Sequence, residues 1–296
     1  MEQINKNIGE SLKPMISKLV SLSNSDKHNV FNDIIWPDKL EDNQYWICQN
    51  LISLYNTPLY AQVTEVDLFR ISKEECINFF SLNVHGIRDL LLDVIEYIHK
   101  PKFEVVSEFL HHFIDEENEH MYFFAKFCQK YGRKIYDDRF VKYPISKTSE
   151  NIRMFNVFMR IWVFEEIVDY YNYQMANDTS LHPFIQEINS LHHKDESRHI
   201  AFGGELLHTI FKDLLRTESA DTIDSVRSYT REYIKNRMTM FYNPYAYQEA
   251  GMKDGYSIRK LLLDNEGRKQ KHEIILKRLL NKLYNYGILI SKQIYL

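Results

Sequence analysis

His192-His193-Lys194-Asp195-Glu196-Ser197-Arg198-His199 is the stretch on which the reading of this chain turns. On a helix of 3.6 residues per turn, His192, Glu196 and His199 share one face. Two imidazoles flanking a carboxylate on one face are metal-ligand types at metal-ligand spacing. Earlier in the chain, Glu117-Asn118-Glu119-His120 has the same Glu-x-x-His spacing, and the pair Glu165-Glu166 lies between the two strings. Two such strings on separate long helices, with a helical carboxylate between them, match the way helix bundles hold a carboxylate-bridged pair of iron ions.

The rest of the chain suits such a bundle. Its 296 residues suffice for one large domain or two small ones, and the scarcity of Gly (9) and Pro (7) favours an all-α fold. A hydrophobic content of 44% allows a large core, and the abundant Tyr and Phe read as helix packing. Long helices are predicted over 72–100, 101–131, 150–176, 183–215 and 221–240. Ser72-Lys73-Glu74-Glu75 reads as a capping box, Gly132 as a C-cap, and the segment with Pro144 and Ser146 as a loop. Residues 1–71 read as a helical extension packing on the bundle, with two short helices over 31–72; residues 72–240 read as the bundle and 241–296 as C-terminal helices.

Glu-x-x-His spacing recurs elsewhere in the chain, so the inward strings must be chosen. Glu108/His111 and Glu205/His208 each lie nine residues from a favoured string, about two and a half turns, and so point the opposite way. The face of Glu117 also carries Leu110, Phe113, Phe124 and Phe127, whereas that of Glu108 carries Asp115, Glu119 and Lys126. The face of Glu196 carries Ile185, Gly203, Leu207 and Ile210, whereas that of Glu205 carries Lys194, Arg198 and Lys212. Glu117/His120 and Glu196/His199 therefore look inward, and the other two strings look to water. Carboxylates on an apolar stripe are costly unless paired or metal-bound. Mixed oxygen and imidazole donors suit iron or manganese better than metals that prefer soft ligands.

A net charge of -4 with no basic stripe excludes a nucleic-acid partner, and Arg259, Lys260, Arg268, Lys269 and Lys271 read as a solvated helix face. Cys48, Cys76 and Cys128 form no metal or redox motif and read as reduced thiols. The polar N-terminus carries no secretory segment and no apolar run reaches 18 residues, so a cytoplasmic protein without a membrane span is expected.

Phe113-Ile114-Asp115-Glu116-Glu117-Asn118-Glu119-His120-Met121, Phe164-Glu165-Glu166 and the stretch from His192 to His199 together resemble the p-aminobenzoate N-oxygenase family of ferritin-like di-iron enzymes. The additional histidine one turn before the last Glu-x-x-His, here His192, carries most of this resemblance, which spans about 70–215. It implies that Glu117 and Glu196 bridge two iron ions, that His120 binds one, and that His192 and His199 bind the other. A carboxylate from Glu165 or Glu166 would join His192, with Glu165 preferred on its distance along the chain. Asp195 and Asp169 are candidates to support the ligands, although a surface charge is the commoner fate of such residues.

The implied activity is O2-dependent oxygenation of a small-molecule amine, with an external electron donor and a homodimer as the common assembly. The family has a further Glu on the first ligand helix, about thirty to thirty-five residues before Glu117, and the window Ser81 to Arg88 holds no carboxylate. Ile87 is expected in its place, with Asn83 on the same inward face. That departure leaves one metal position short of a ligand. Two other readings stay open: metal-dependent oxidation or cleavage at carbon, and a non-catalytic metal-binding helical protein.

Overall fold

Long stretches free of Gly and Pro fold as long helices. The computed structural model describes residues 10–27, 29–139 and 149–294, and every regular element among them is helical. In chain order these are α1 (Lys13–Ser25), α2 (Val30–Asp33), α3 (Glu65–Tyr97), α4 (Ser107–Phe127), α5 (Glu150–Asn177), α6 (Pro183–Thr217), α7 (Ala220–Met240), α8 (Pro244–Glu249), α9 (Gly255–Asp264) and α10 (Glu266–Asn285). Helices α3 to α6 form the bundle: α3 lies along α4, α5 along α6, and the two pairs meet through α3–α5 and α4–α6. α1 covers α4 and α6, while α7 and α10 lie on α5. Enclosed in this way, α5 is buried on nearly every side, as its apolar sequence requires. One continuous core runs from Leu12 to Leu289. No helix among the described residues is long and apolar enough to cross a membrane, and all three cysteines are free and buried.

Several local expectations are corrected. The capping box forms at Thr64 and Asp67, so α3 starts at Glu65 and Ser72 lies inside it. Ser72 is buried there, accepting from the Trp46 N–H at 3.2 Å and donating to the Phe69 carbonyl at 2.8 Å. The left-handed residue after α4 is Arg133 (φ 56), not Gly132. Gly132 serves close packing instead, since a Cβ there would lie 2.6 Å from Ile77. Between residues 31 and 63 only α2 and two 3-10 turns form, Gln49–Leu51 and Tyr60–Gln62, where two helices were expected. Arg268 is no solvated charge: it is 2% exposed and donates to Tyr242 Oη at 3.0 Å and the Ile52 carbonyl at 3.1 Å. The loop read at Pro144 and Ser146 lies outside the described residues.

Candidate metal centre

α4 and α6 turn their apolar stripes into the bundle. Glu117 and His120 from α4, Glu165 from α5, and His192, Glu196 and His199 from α6 all end there, none more than 2% exposed. One donor atom each from Glu117, His120, His192 and Glu196 lie within 4.8 Å of one another, and so do donors from Glu117, Glu165, Glu196 and His199. Glu117 and Glu196 belong to both groups. Glu108, His111 and Glu205 are exposed and His208 is half-buried, as the nine-residue offset requires.

The donor atoms converge and satisfy one another only in part: His120 Nδ1 lies 3.3 Å from Glu117 Oε1 and His192 Nε2 3.0 Å from Glu196 Oε1. His199 Nδ1 lies 2.9 Å from Glu117 Oε1 and 3.6 Å from Glu196 Oε1, yet makes no aligned hydrogen bond. Glu165 Oε1 and Glu196 Oε2 are also buried without a partner. Each such atom costs about 1–3 kcal/mol. Three buried carboxylates and three imidazoles at one focus, with three of their donor atoms unpartnered, would fit two divalent cations that share Glu117 and Glu196.

Electrostatics within the protein point the same way. Burial and the negative charge of Glu196 raise Glu165 well above the usual carboxylate range. Burial alone would lower His120, but the Glu117 charge and the hydrogen bond to Asp195 push it up to about 10. His199 is raised in the same manner, burial being outweighed by Glu116, Glu117 and Glu196. Glu165, His120 and His199 thus hold protons more tightly than usual, and metal binding there would displace them.

Each imidazole is also held from outside. His120 Nε2 lies 3.1 Å from Asp195 Oδ2, and His199 Nε2 lies 2.7 Å from Glu116 Oε2. Such pairs fix ring orientation and raise ligand basicity. Asn172 holds His192 Nδ1, and its own Oδ1 is buried without a partner. With that oxygen turned to accept from Nδ1–H, His192 Nε2 keeps its lone pair for a cation. Arg198 fastens this layer: Nη2 bonds Asp195 and also Glu116 at 2.8 Å, and Nη1 reaches Asp26 at 3.3 Å. Beyond it lies a polar surface cleft that includes Lys27, His112 and Asp115.

Four site expectations are corrected. Glu166 does not join the centre: one step round α5 from Glu165, about 100° away, its carboxylate accepts from Arg278 at 2.6 Å and Lys282 at 2.7 Å. Asp169, although buried, bonds His193 and Arg278 and touches no ligand candidate. Arg198, placed by its helix face in water, is 7% exposed because three carboxylates surround it. The histidines also divide differently, since His192 groups with His120 and His199 with Glu165. His192 stands one turn before Glu196 and His199 one turn after, so their rings reach it from opposite ends.

Asp195, by contrast, is buried against His120. Ile87 and Asn83 are buried on α3, which adds no carboxylate or imidazole to either group among the described residues. Asn83 donates to the Phe79 carbonyl at 2.9 Å and leaves Oδ1 unpartnered. Glu116 and Asn172 escaped the sequence reading; the signal for Glu116 is its place three residues before Glu119 and next to Glu117, indistinguishable from a surface charge.

The two flanks of the centre differ. Phe123 packs 5.5 Å from the His120 ring and Phe124 5.0 Å from the His192 ring, closing that side. Glu165 and His199 face a cavity of about 10 Å³ walled by Val94, Leu110, Phe113, Phe158, Ile161 and Phe202.

The model of the p-aminobenzoate N-oxygenase AurF family matches residues 10–286, well beyond the span the ligand strings alone could vouch for. A search of curated proteins returns no match. With an all-helical bundle and buried Glu/His groups suited to a di-metal site, the chain belongs to the p-aminobenzoate N-oxygenase AurF family of ferritin-like, non-haem di-iron oxygenases.

Proposed function

We propose that this protein binds two iron ions through Glu117, His120, Glu165, His192, Glu196 and His199, and N-oxygenates a small amine with dioxygen. The observation that carries this reading is the pair of donor groups sharing Glu117 and Glu196, with Glu165 Oε1, Glu196 Oε2 and His199 Nδ1 left unpartnered. When bound, the metal pair supplies electrons for dioxygen reduction, which no side chain in the site can do. The protein fixes donor geometry through Asp195, Glu116 and Asn172 and keeps water out with Phe113, Phe123 and Phe124. An external donor restores the electrons between turnovers.

Protein from iron-supplemented cells should carry about two metal ions per chain, a stoichiometry set by two bridging glutamates. With an arylamine, a reductant and ¹⁸O₂, label should appear in a hydroxylamine or nitro product. Protein without metal would remove the reading. The absence of an α3 carboxylate favours a second one, oxidation or cleavage at carbon, and label on carbon in the same experiment would select it.

A further inference from the structure

We propose that His99 and His111, at the corner where α3 gives way to α4, form a second metal site, separate from the buried centre, that takes one borderline-soft divalent ion such as Zn2+ through their two imidazoles. The site is independent of the oxygenase reading and uses an outward Glu-x-x-His string that the metal centre leaves aside. His111 closes the string begun by Glu108, and both residues are exposed on α4. Facing it is His99, also exposed, with Nε2 3.0 Å from His111 Nε2 and ring centroids 5.2 Å apart. Between two neutral imidazoles in that contact one ring donates a proton and the other accepts it. A metal ion takes the place of that proton and uses both lone pairs. Two nitrogens bound to one ion at 2.0–2.1 Å stand about 2.9 Å apart at a right angle and about 3.3 Å apart at the tetrahedral angle. The observed spacing is therefore already that of a shared ion, and exposed rings can tilt onto it. Water completes the shell, and Glu108, one turn before His111 on the same face, offers a further oxygen donor.

The backbone holds the His99 ring at this corner. Residue 99 has φ 58, in the left-handed region that glycine fills with less strain. Its N–H donates to Ser107 Oγ at 2.9 Å, and Ser107, buried, donates in turn to the Phe103 carbonyl at 2.7 Å. A strained turn is thus spent on placing an imidazole against α4. Donor chemistry sets the site apart from the centre: mixed carboxylates and imidazoles suit iron or manganese, whereas a pair of imidazoles suits zinc, nickel or copper. An ion there ties the end of α3 to the start of α4 across residues 98–106, and so stabilises the folded chain.

The probe is Zn2+ added to untagged, iron-loaded protein. Crystals soaked in Zn2+ should show an anomalous peak at the zinc edge between the two Nε2 atoms. Equilibrium dialysis with elemental analysis should add one zinc per chain and leave iron unchanged. His99→Asn, which keeps a left-handed turn, and His111→Ala, on an exposed helix face, should each weaken zinc binding at least tenfold and keep the iron. His208→Ala, at the other outward string, should keep both metals. At free Zn2+ a hundred times Kd, the folded-to-unfolded ratio should rise about a hundredfold in the parent and stay level in His111→Ala. No zinc between the rings, zinc held at parent affinity in either variant, or an equal loss in His208→Ala would overturn the proposal. Protein that takes up this zinc but no iron would sink the oxygenase reading and leave the second site standing.

Discussion

Asp195 and Asp169 are indistinguishable as sequence, and replacing each by Asn should separate them sharply. Asp195 accepts from His120 at 3.1 Å and from Arg198, whereas the oxygens of Asp169 are taken by His193 and Arg278. In Asp195→Asn the carbonyl oxygen stays opposite one of these two donors, and the amide NH2 faces the N–H of the other. Weakening the outer partner of a ligating histidine costs about 10–100-fold in metal affinity, or about 1.4–2.7 kcal/mol. Arg198 keeps Glu116 and Asp26, so no bare cation is left buried and the fold should survive. In Asp169→Asn the affected partners are His193 and the half-exposed Arg278, neither of which belongs to a donor group. Its metal affinity should change by no more than about twofold. Competition against a chromogenic chelator with Co2+ or Fe2+ measures both variants. Equal losses, or no loss in Asp195→Asn, would refute the reasoning, because the contact with His120 is its only ground.

Glu165→Ala should lower metal content from about two to about one per chain, since it removes a donor from one group only. Glu166→Ala should leave metal content unchanged and cost about 1 kcal/mol or less in urea unfolding, because Arg278 and Lys282 are 50% and 36% exposed and can turn to water. Glu117→Ala and Glu196→Ala should abolish binding of both metals by elemental analysis, while Glu108→Ala and Glu205→Ala keep them; metal loss in the latter pair would invert the helix faces. Burial pushes Glu75 up to about 7 from its ordinary 4.5, despite the hydrogen bonds from Ser53 and the charge of Arg268. Its contribution to stability is therefore full below pH 4.5 and is lost as pH rises to about 7, a change of about 3 kcal/mol. Glu75→Gln should flatten unfolding free energy against pH across that window, and an unaltered slope would assign the dependence to other groups.

What the sequence disclosed follows from helix periodicity. On α4 and α6 one side is apolar and the other polar, so a nine-residue offset was enough to sort inward from outward strings. On α5 the same reasoning has nothing to grip. With that helix buried almost all round, Glu165 and Glu166 are equivalent in pattern, and what separates them is the pair of cations on α10, with Arg278 112 residues further on. Arg198 exposes the opposite weakness. A charged residue off the apolar stripe reads as solvated, but a long side chain can turn back under its helix when Asp26, Glu116 and Asp195 await it. Glu116, Asn172 and Asp195 act through contacts between helices, and spacing along one chain does not encode those.

The arrangement of donors changes what the absent α3 carboxylate means. If His192 and His199 shared one cation with a helix α5 carboxylate, the other would have His120 and the two bridges, and Ile87 would mark a real deficit. In the observed grouping His192 stands with His120, so each position has two shared glutamates and two donors of its own: His120 and His192 for one, Glu165 and His199 for the other. The count is balanced without α3, and the asymmetry lies in charge, since only the second position has a carboxylate of its own. That same position faces the apolar cavity, while the all-imidazole position is capped by Phe123 and Phe124. Replacing Ile87 by Glu would then crowd a position that needs no further ligand, rather than repair a vacant one.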